Sequence, residues 1–367
     1  MTYIVWFEEH DPSDVSRLGG KNASLVTMTS AGMPVPPGFA LTADAYRRVF
    51  AQTGTDAVID RLMADLDPRD AASVTRAGRA AREAVTGLEI PQWLRMEVTA
   101  AYRRLGERCG DDRVGVAVRS SATCEDQPDA SFAGEHDTYL WVRGIDDVLA
   151  RIRQCWASLF TDRAITYRRE MGYTDQGAAM SVGIQKMVLP RTSGVAFTLN
   201  PSNGDRSQVA IDASWGLGEA VVSGSVTPDN FLVDKVINEV TRRTISPKHI
   251  EHRLGDDDRV IEAEVEPERQ RVPSLSDAEI KAVAALARRA EKHYGCPQDI
   301  EWALDSQLPD GENILLLQAR PETVWSRKPR RPALNGQAKD TFRSIVATLL
   351  DAHHAEPHDD HHQHHVG

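Results

Sequence analysis

DIEWALDSQLPDGENILLLQARPET, residues 299–323, contains two strand-like runs on either side of a turn that carries Asp310-Gly311, the short-range signature of a hairpin. Ile300, Trp302 and Leu304 take one face of the first run, which leaves Glu301 on the other by the two-residue period of a strand. Gln318 and Arg320 share a face of the second run. A carboxylate on one strand, with an amide carbonyl and a guanidinium on its neighbour, can hold a hard cation together with the phosphates that the cation bridges. An edge hairpin with a solvated ion pair is the other reading of the same residues, and the rest of the chain has to decide between them.

Working back from the hairpin, Ser276 caps a helix over 277–294 with Glu279 in the capping-box position, and Gly295 ends it. Residues 255–271 are charged and predict an exposed connection. Strands are expected over 181–188, 194–199, 209–213 and 226–235. The mostly apolar run SVGIQKMV, with Gln185, Met187 and Val188, suits either an adenine site or a plain core strand. SWGLGEA, residues 214–220, resembles a dinucleotide fingerprint on the surface. Val221 stands where the third small residue belongs, which discounts a Rossmann site.

In the first half, Val114, Val116 and Val118 alternate as a buried strand face and deliver Arg119 at the expected strand end. The small polar loop from Ser120 to Gly134 then either wraps phosphates through its backbone or is an ordinary surface loop. SRLGGKNASL, residues 16–25, opens a helix on glycines and puts Lys21 at its start, where a lysine either meets phosphate or faces solvent. It is no Walker A loop, since Val15 replaces the first glycine and Asn22 the hydroxyl residue after the lysine. Residues 43–108 and 148–169 carry helical periodicity.

Composition narrows the classes. A net charge of −11 argues against nucleic-acid and anionic-membrane surfaces, and no apolar run reaches the length of a membrane span. The start is acidic rather than a signal sequence, and the four cysteines lack the spacing of a zinc site or a disulfide framework, so a cytoplasmic setting is expected. At 367 residues, the chain is expected to form two lobes, 1–180 and 181–326, plus a 327–367 extension. That extension comprises a basic linker, a short amphipathic helix over 341–350 and an acidic His-rich tail that can bind transition metals adventitiously.

Taken in order, LGGKNASL, VPPGFALTADAY, AVRSSATCEDQPDASFAGEHDTYL, CWASLFTDRAITYR, SWGLGEAVVSG, TPDNFLV, EKHYGCPQDIEWALD and ILLLQARPET closely resemble the N-terminal nucleotide-binding domain of the phosphoenolpyruvate synthase, pyruvate phosphate dikinase and rifampin phosphotransferase family. The resemblance covers about residues 1–326 and implies an α+β ATP-grasp fold, two lobes clasping ATP. It implies that Lys21, Arg119 and Arg320 meet phosphates, that the loop from Ser131 to Gly134 covers them, and that Thr138 also binds the nucleotide. Gln185, Met187 and Val188 would surround adenine, Glu219 would face the ribose or phosphates, and Glu301 and Gln318 would bind Mg2+. Asn230 and Cys124 depart from the family pattern without removing a matched ligand.

Such enzymes pass phosphate through a histidine on a separate domain, and none of the histidines here lies in a matching segment. The resemblance therefore implies the ATP-binding part of a split phosphotransferase with a histidine-bearing partner. The expected reaction is that of the aryl-phosphate synthases, which turn ATP, water and a phenol into aryl phosphate, AMP and phosphate. A separately encoded domain of a phosphoenolpyruvate synthase or a rifampin-type phosphotransferase is the alternative. A nucleotide-sensing subunit without turnover is the reading from another class.

Overall fold

The computed structural model describes residues 2–9, 15–67, 69–123, 138–170, 172 and 177–325. Residues 1–322 pack as one unit and 323–367 as another. The expected helix and His-rich tail of the extension lie outside the described residues, as do Ser131 and Gly134.

Among the described residues, the first unit holds two antiparallel sheets of more than two strands. The first has the order β1-β2-β5-β3-β4, formed by Ile4–Trp6, Gly38–Leu41, Met180–Lys186, Val116–Ala122 and Thr138–Val142. Its Phe39, Val116, Val118, Val182 and Ile184 are buried in one core. Helices α2 to α5 (Ala43–Thr53, Thr55–Ala64, Ala71–Gly87 and Gln92–Cys109) cover that core, together with α6 (Ile145–Ala157) and α7 (Asp162–Glu170). The expected single helix over 148–169 is broken by a 3-10 turn at Ser158–Phe160. Strand β5 begins where the expected lobe boundary falls, at 180/181. It hydrogen-bonds between β2 and β3, so it belongs to the first sheet, and the crossover to the second sheet follows through 187–189.

The second sheet has the order β13-β12-β6-β7-β8-β9. Its strands are Ile314–Pro321, Gln298–Asp305, Pro190–Phe197, Gln208–Trp215, Asp229–Asp234 and Val240–Thr244. The 299–323 stretch is indeed a hairpin, with a register shift between Glu301 and Trp302. Burial follows the alternation, because Ile300, Trp302, Ala196, Ile211 and Phe231 lie in a second core. Helix α10 (Asp277–Tyr294) contributes Ile280, Val283, Ala284 and Ala287 to that core, and its start has the full Ser276/Glu279 capping box.

Helix α1 (Val15–Ser30) is the element the two sheets share. Leu18, Leu25, Val26 and Met28 enter the second sheet's core, while Asn22, fully buried, faces the first sheet. Gly19 breaks the helical path with φ 63° and ψ 166°, and a Cβ there would lie 2.5 Å from the Ser121 carbonyl oxygen. The glycine therefore lets α1 rest directly on the end of β3. Asn22 then donates from its backbone N–H to Ser121 Oγ at 3.2 Å and from Nδ2 to Ser181 Oγ at 2.8 Å.

The 255–271 stretch departs from expectation. It holds β11 (Val260–Glu264), which pairs with β10 (Ile250–Leu254) in a separate two-stranded hairpin, followed by the short helix α9 (Pro267–Gln270). Its charged residues alternate around a ladder whose backbone bonds the composition did not reveal. The root of this hairpin is pinned by a fully buried ion pair, Lys248 Nζ to Asp229 Oδ1 at 2.6 Å. Asp229 also accepts from the N–H of Ser246 and from the N–H and Oγ of Ser274, so both carboxylate oxygens are satisfied. The short helix between β7 and β8, α8, is Glu219–Val222.

Removing one partner from such a pair leaves an uncompensated buried charge. Lys248→Ala should cost about 3–5 kcal/mol of unfolding free energy, read from urea melts. A change below about 1 kcal/mol would show that the pair contributes little to the anchoring of the hairpin.

Candidate phosphate and cation site

Arg119 is the residue around which the predicted side chains gather. Strand β3 runs on to Ala122, so Arg119 sits in mid-strand rather than at a strand end, and it is only 13% exposed. Its guanidinium crosses to the second sheet. Nη2 donates to Gln318 Oε1 at 2.7 Å and Nη1 to the Leu317 carbonyl at 3.0 Å. Glu301 Oε2 lies 3.6 Å from Nη2, and Gln185 Oε1 accepts a longer bond of 3.4 Å from Nη1. Glu301 and Gln318 are directly opposed in the β12–β13 ladder. The register of a hairpin thus places a carboxylate and an amide oxygen side by side, and a planar fork from the other sheet reaches both.

Thr138, Gln185, Met187, Val188 and Lys21 are placed along β3 or just beyond its ends, and Arg320 and Glu219 lie elsewhere. Thr138 is opposite Arg119 at the exposed start of β4. Gln185 is opposite Ala117, and its Nε2 donates to the Pro36 carbonyl at 3.3 Å. Met187 and Val188 are buried at the crossover, where the Met187 N–H donates to the Gly115 carbonyl. Lys21, half-buried, precedes Asn22 and so lies by Ser121, on the side of Arg119 away from Ala117. Arg320 is placed two ladder pairs beyond Gln318, where its Nε lies 3.5 Å from Asp299 Oδ2. Glu219 is exposed at the start of α8, and His252 Nδ1 lies 3.9 Å from its Oε2.

Asp299 was not singled out from the sequence, although the two-residue period puts it on the Glu301 face. Its Oδ1 is buried and has no hydrogen-bond partner among the described residues. Burial pushes its carboxyl up to about 6, with Arg320 pulling it down and Glu322 pushing it further up. Carboxylate and amide oxygens at Asp299, Glu301 and Gln318 form a hard-oxygen donor set suited to a divalent cation that keeps water and phosphate ligands. Among the described residues, no group of three or more His, Cys, Asp or Glu side chains is arranged to hold a metal by itself.

These features define an α+β protein in which a basic fork from one sheet meets an oxygen-rich hairpin of another. Residues 15–340 match the family described as pyruvate phosphate dikinase, AMP/ATP-binding domain, and the chain belongs to that family. It is 44% identical to the probable phosphoenolpyruvate synthase of Methanothermobacter thermautotrophicus, over 88% of this chain and 46% of that protein. It is 41% identical to the phosphoenolpyruvate synthase of Aeropyrum pernix, over 89% of this chain and 43% of the relative. With the phosphoenolpyruvate synthase of Neisseria meningitidis serogroup B the figures are 42%, 91% and 44%. The chain spans less than half the length of each of these relatives. No helix among the described residues is long and apolar enough to cross a membrane.

The raised Asp299 carboxyl has a consequence for stability. Because the folded value lies above the ordinary 3.8, the stability from its neutral form is complete below that value and is lost as pH rises through about 6. In chelator-treated protein, Asp299→Asn should therefore be more stable than the parent above about pH 6.5, by about 1–3 kcal/mol, and nearly equal to it at about pH 4. Urea melts at both values test this, and a difference that does not change with pH would remove the desolvation account.

Proposed function

We propose that this chain binds ATP as its magnesium complex in an ATP-grasp cleft and supplies the nucleotide half of a dikinase-type phosphotransfer. The observation that carries this reading is the Arg119 fork, bonded to Gln318 and flanked by Glu301, at the meeting line of two sheets. Glu301 and Gln318, with Asp299 beside them, would hold Mg2+, which when bound offsets charge on the phosphate oxygens. Arg119, Lys21 and Arg320 supply positive charge along the same line, with Thr138 opposite Arg119 at the exposed start of β4. Gln185, Met187 and Val188 take the base end, and Glu219 the ribose side.

In the proposed transfer, an imidazole nitrogen of a histidine outside this cleft attacks phosphorus in line. An N–P bond forms, the P–O bond to the leaving group breaks, and the negative charge departs with that group. Fixed cationic side chains lower the barrier because they stabilise the charge that develops, and they need no reorganisation to do so. Hydrolysis of a second phosphate bond then leaves AMP and phosphate. The histidine is carried either by further sequence of a longer protein or by a separate subunit.

For the final acceptor, the names of the relatives support synthesis of phosphoenolpyruvate. A phenol or alkylphenol acceptor draws no separate support from those names. A sensing role without turnover would not call for the Glu301, Gln318 and Arg119 set, which is the machinery of charge neutralisation.

Glu301→Ala should lower phosphorylation of the accepting histidine by on the order of 10²–10³-fold and remove the dependence of ATP affinity on Mg2+, with native circular dichroism. Arg119→Ala should weaken nucleotide binding with or without the metal. Calorimetry and transfer of labelled phosphate provide the readouts. If the full chain bound no ATP, or if both variants behaved as the parent, the reading would fall.

A further inference from the structure

Besides the two main cores, there is a third apolar cluster, and its position along β3 is informative. It consists of Ala117, Met187 and Leu217, with Leu140, Trp141 and Val260 packed against them. Ala117 shares the Arg119 face of β3, and at the rise of a strand it lies about 7 Å from Arg119, with Gly115 about 13 Å away. A nucleotide whose phosphates meet Arg119 and whose long axis follows β3 therefore brings its base to this cluster.

Val260 reaches the cluster on the β10–β11 hairpin, and the hairpin is held at three levels. Its root is the buried Lys248–Asp229 pair. Midway, the Leu217 N–H donates to the His252 carbonyl at 2.8 Å. Gly216, at φ 72°, has no room for a Cβ against that same carbonyl oxygen. At the tip, Asp258 lies 3.5 Å from Arg143 Nη1, just after β4, so the hairpin spans from the second sheet to the first.

Strain and unsatisfied donors are concentrated at the same place. Trp141 has φ 54°, a left-handed conformation that costs a bulky residue energy, and it sits where the β3–β4 ladder shifts register. Its ring lies against Gly115, where a Cβ would come within 2.7 Å of it. Its indole Nε1 and the His252 Nδ1 are buried with no hydrogen-bond partner among the described residues. Arrangements of this kind persist when the surrounding fold enforces them, and they gather at ligand sites.

We propose that the β10–β11 hairpin is the strap that closes the base end of the nucleotide site, positioning Val260 over a purine held among Met187, Leu217 and Ala117. The Asp258–Arg143 pair is its latch, and the Trp141 indole supplies a donor at the rim. The proposal rests on the magnesium–ATP reading and extends it to residues that recognise the base.

The test compares ATP with inorganic tripolyphosphate, which carries the phosphates and lacks the base, both with Mg2+, by calorimetry on the full chain. Val260→Asp puts a charge against the apolar cluster. Asp258→Gly removes the latch and suits that residue's own left-handed backbone, φ 61°. Trp141→Phe keeps a ring and removes the donor.

Val260→Asp should weaken ATP by about tenfold or more, and the other two variants by about threefold or more. Tripolyphosphate affinity should stay within about twofold of the parent for all three. Equal losses for both ligands, or ATP affinity unchanged in both Val260→Asp and Asp258→Gly, would overturn the strap. A parent chain that binds tripolyphosphate and ATP equally well would overturn it too. A parent that binds neither ligand would instead remove the nucleotide reading on which the strap depends.

Discussion

The Arg119 guanidinium is bonded to the second sheet while its own strand belongs to the first, and this cross-sheet contact constrains much of the surrounding structure. A planar fork can satisfy the Leu317 carbonyl and the Gln318 amide together only if β13 presents them at a fixed height and angle. That requirement reaches back to α1, which packs between the sheets and holds β13 from its open side. Ser24 Oγ donates to the Ala319 carbonyl at 3.0 Å, and the Leu316 N–H donates to the Pro34 carbonyl at 2.8 Å. The edge of the second sheet is thus covered by neighbouring chain, which satisfies ladder groups that would otherwise be exposed.

The close approach of α1 to the first sheet depends on small residues. Gly19 lets the chain pass over the end of β3, and Gly183 leaves space for the Asn22 side chain where any Cβ would collide with it. Asn22 is then buried between Ser121 and Ser181, a polar group carried into the interior because specific hydroxyls meet it there. The residue before it, Lys21, is thereby held near β3 rather than on an unattached surface. The same economy of space appears at Gly216, where the backbone of the β10–β11 hairpin touches the second sheet.

Much of this architecture was legible in the order of residues. The alternation of Ile300, Trp302 and Leu304 gave the face of Glu301, and the Ser276/Glu279 box with Gly295 bracketed α10 closely. These are local signals: a strand's period and a helix's caps act within a few residues. The β10–β11 hairpin escaped because its strands are rich in charged residues and at most half-buried. What orders them is the Asp229–Lys248 pair and the Leu217 to His252 bond, contacts between segments far apart in the chain. Asp299 escaped for a different reason. Its spacing from Glu301 was visible, but its burial was not, and burial is what raises its carboxyl.

The sequence by itself determined the α+β character, the strand faces that carry Arg119, Glu301 and Gln318, and membership of a recognisable family, since all three follow from short patterns repeated in order along the chain. Only the tertiary structure decided that β5 belongs to the first sheet, that Arg119 lies in mid-strand and bonds to the Gln318 amide, and that Arg320 lies beside Asp299. The β3–β5 pairing joins residues about sixty positions apart and the Arg119 bond to Gln318 residues 199 apart, and no local period encodes which of many compatible partners a strand or a guanidinium will meet. The packing of α1 against both sheets makes that choice, because it fixes the distance and angle at which their side chains come together.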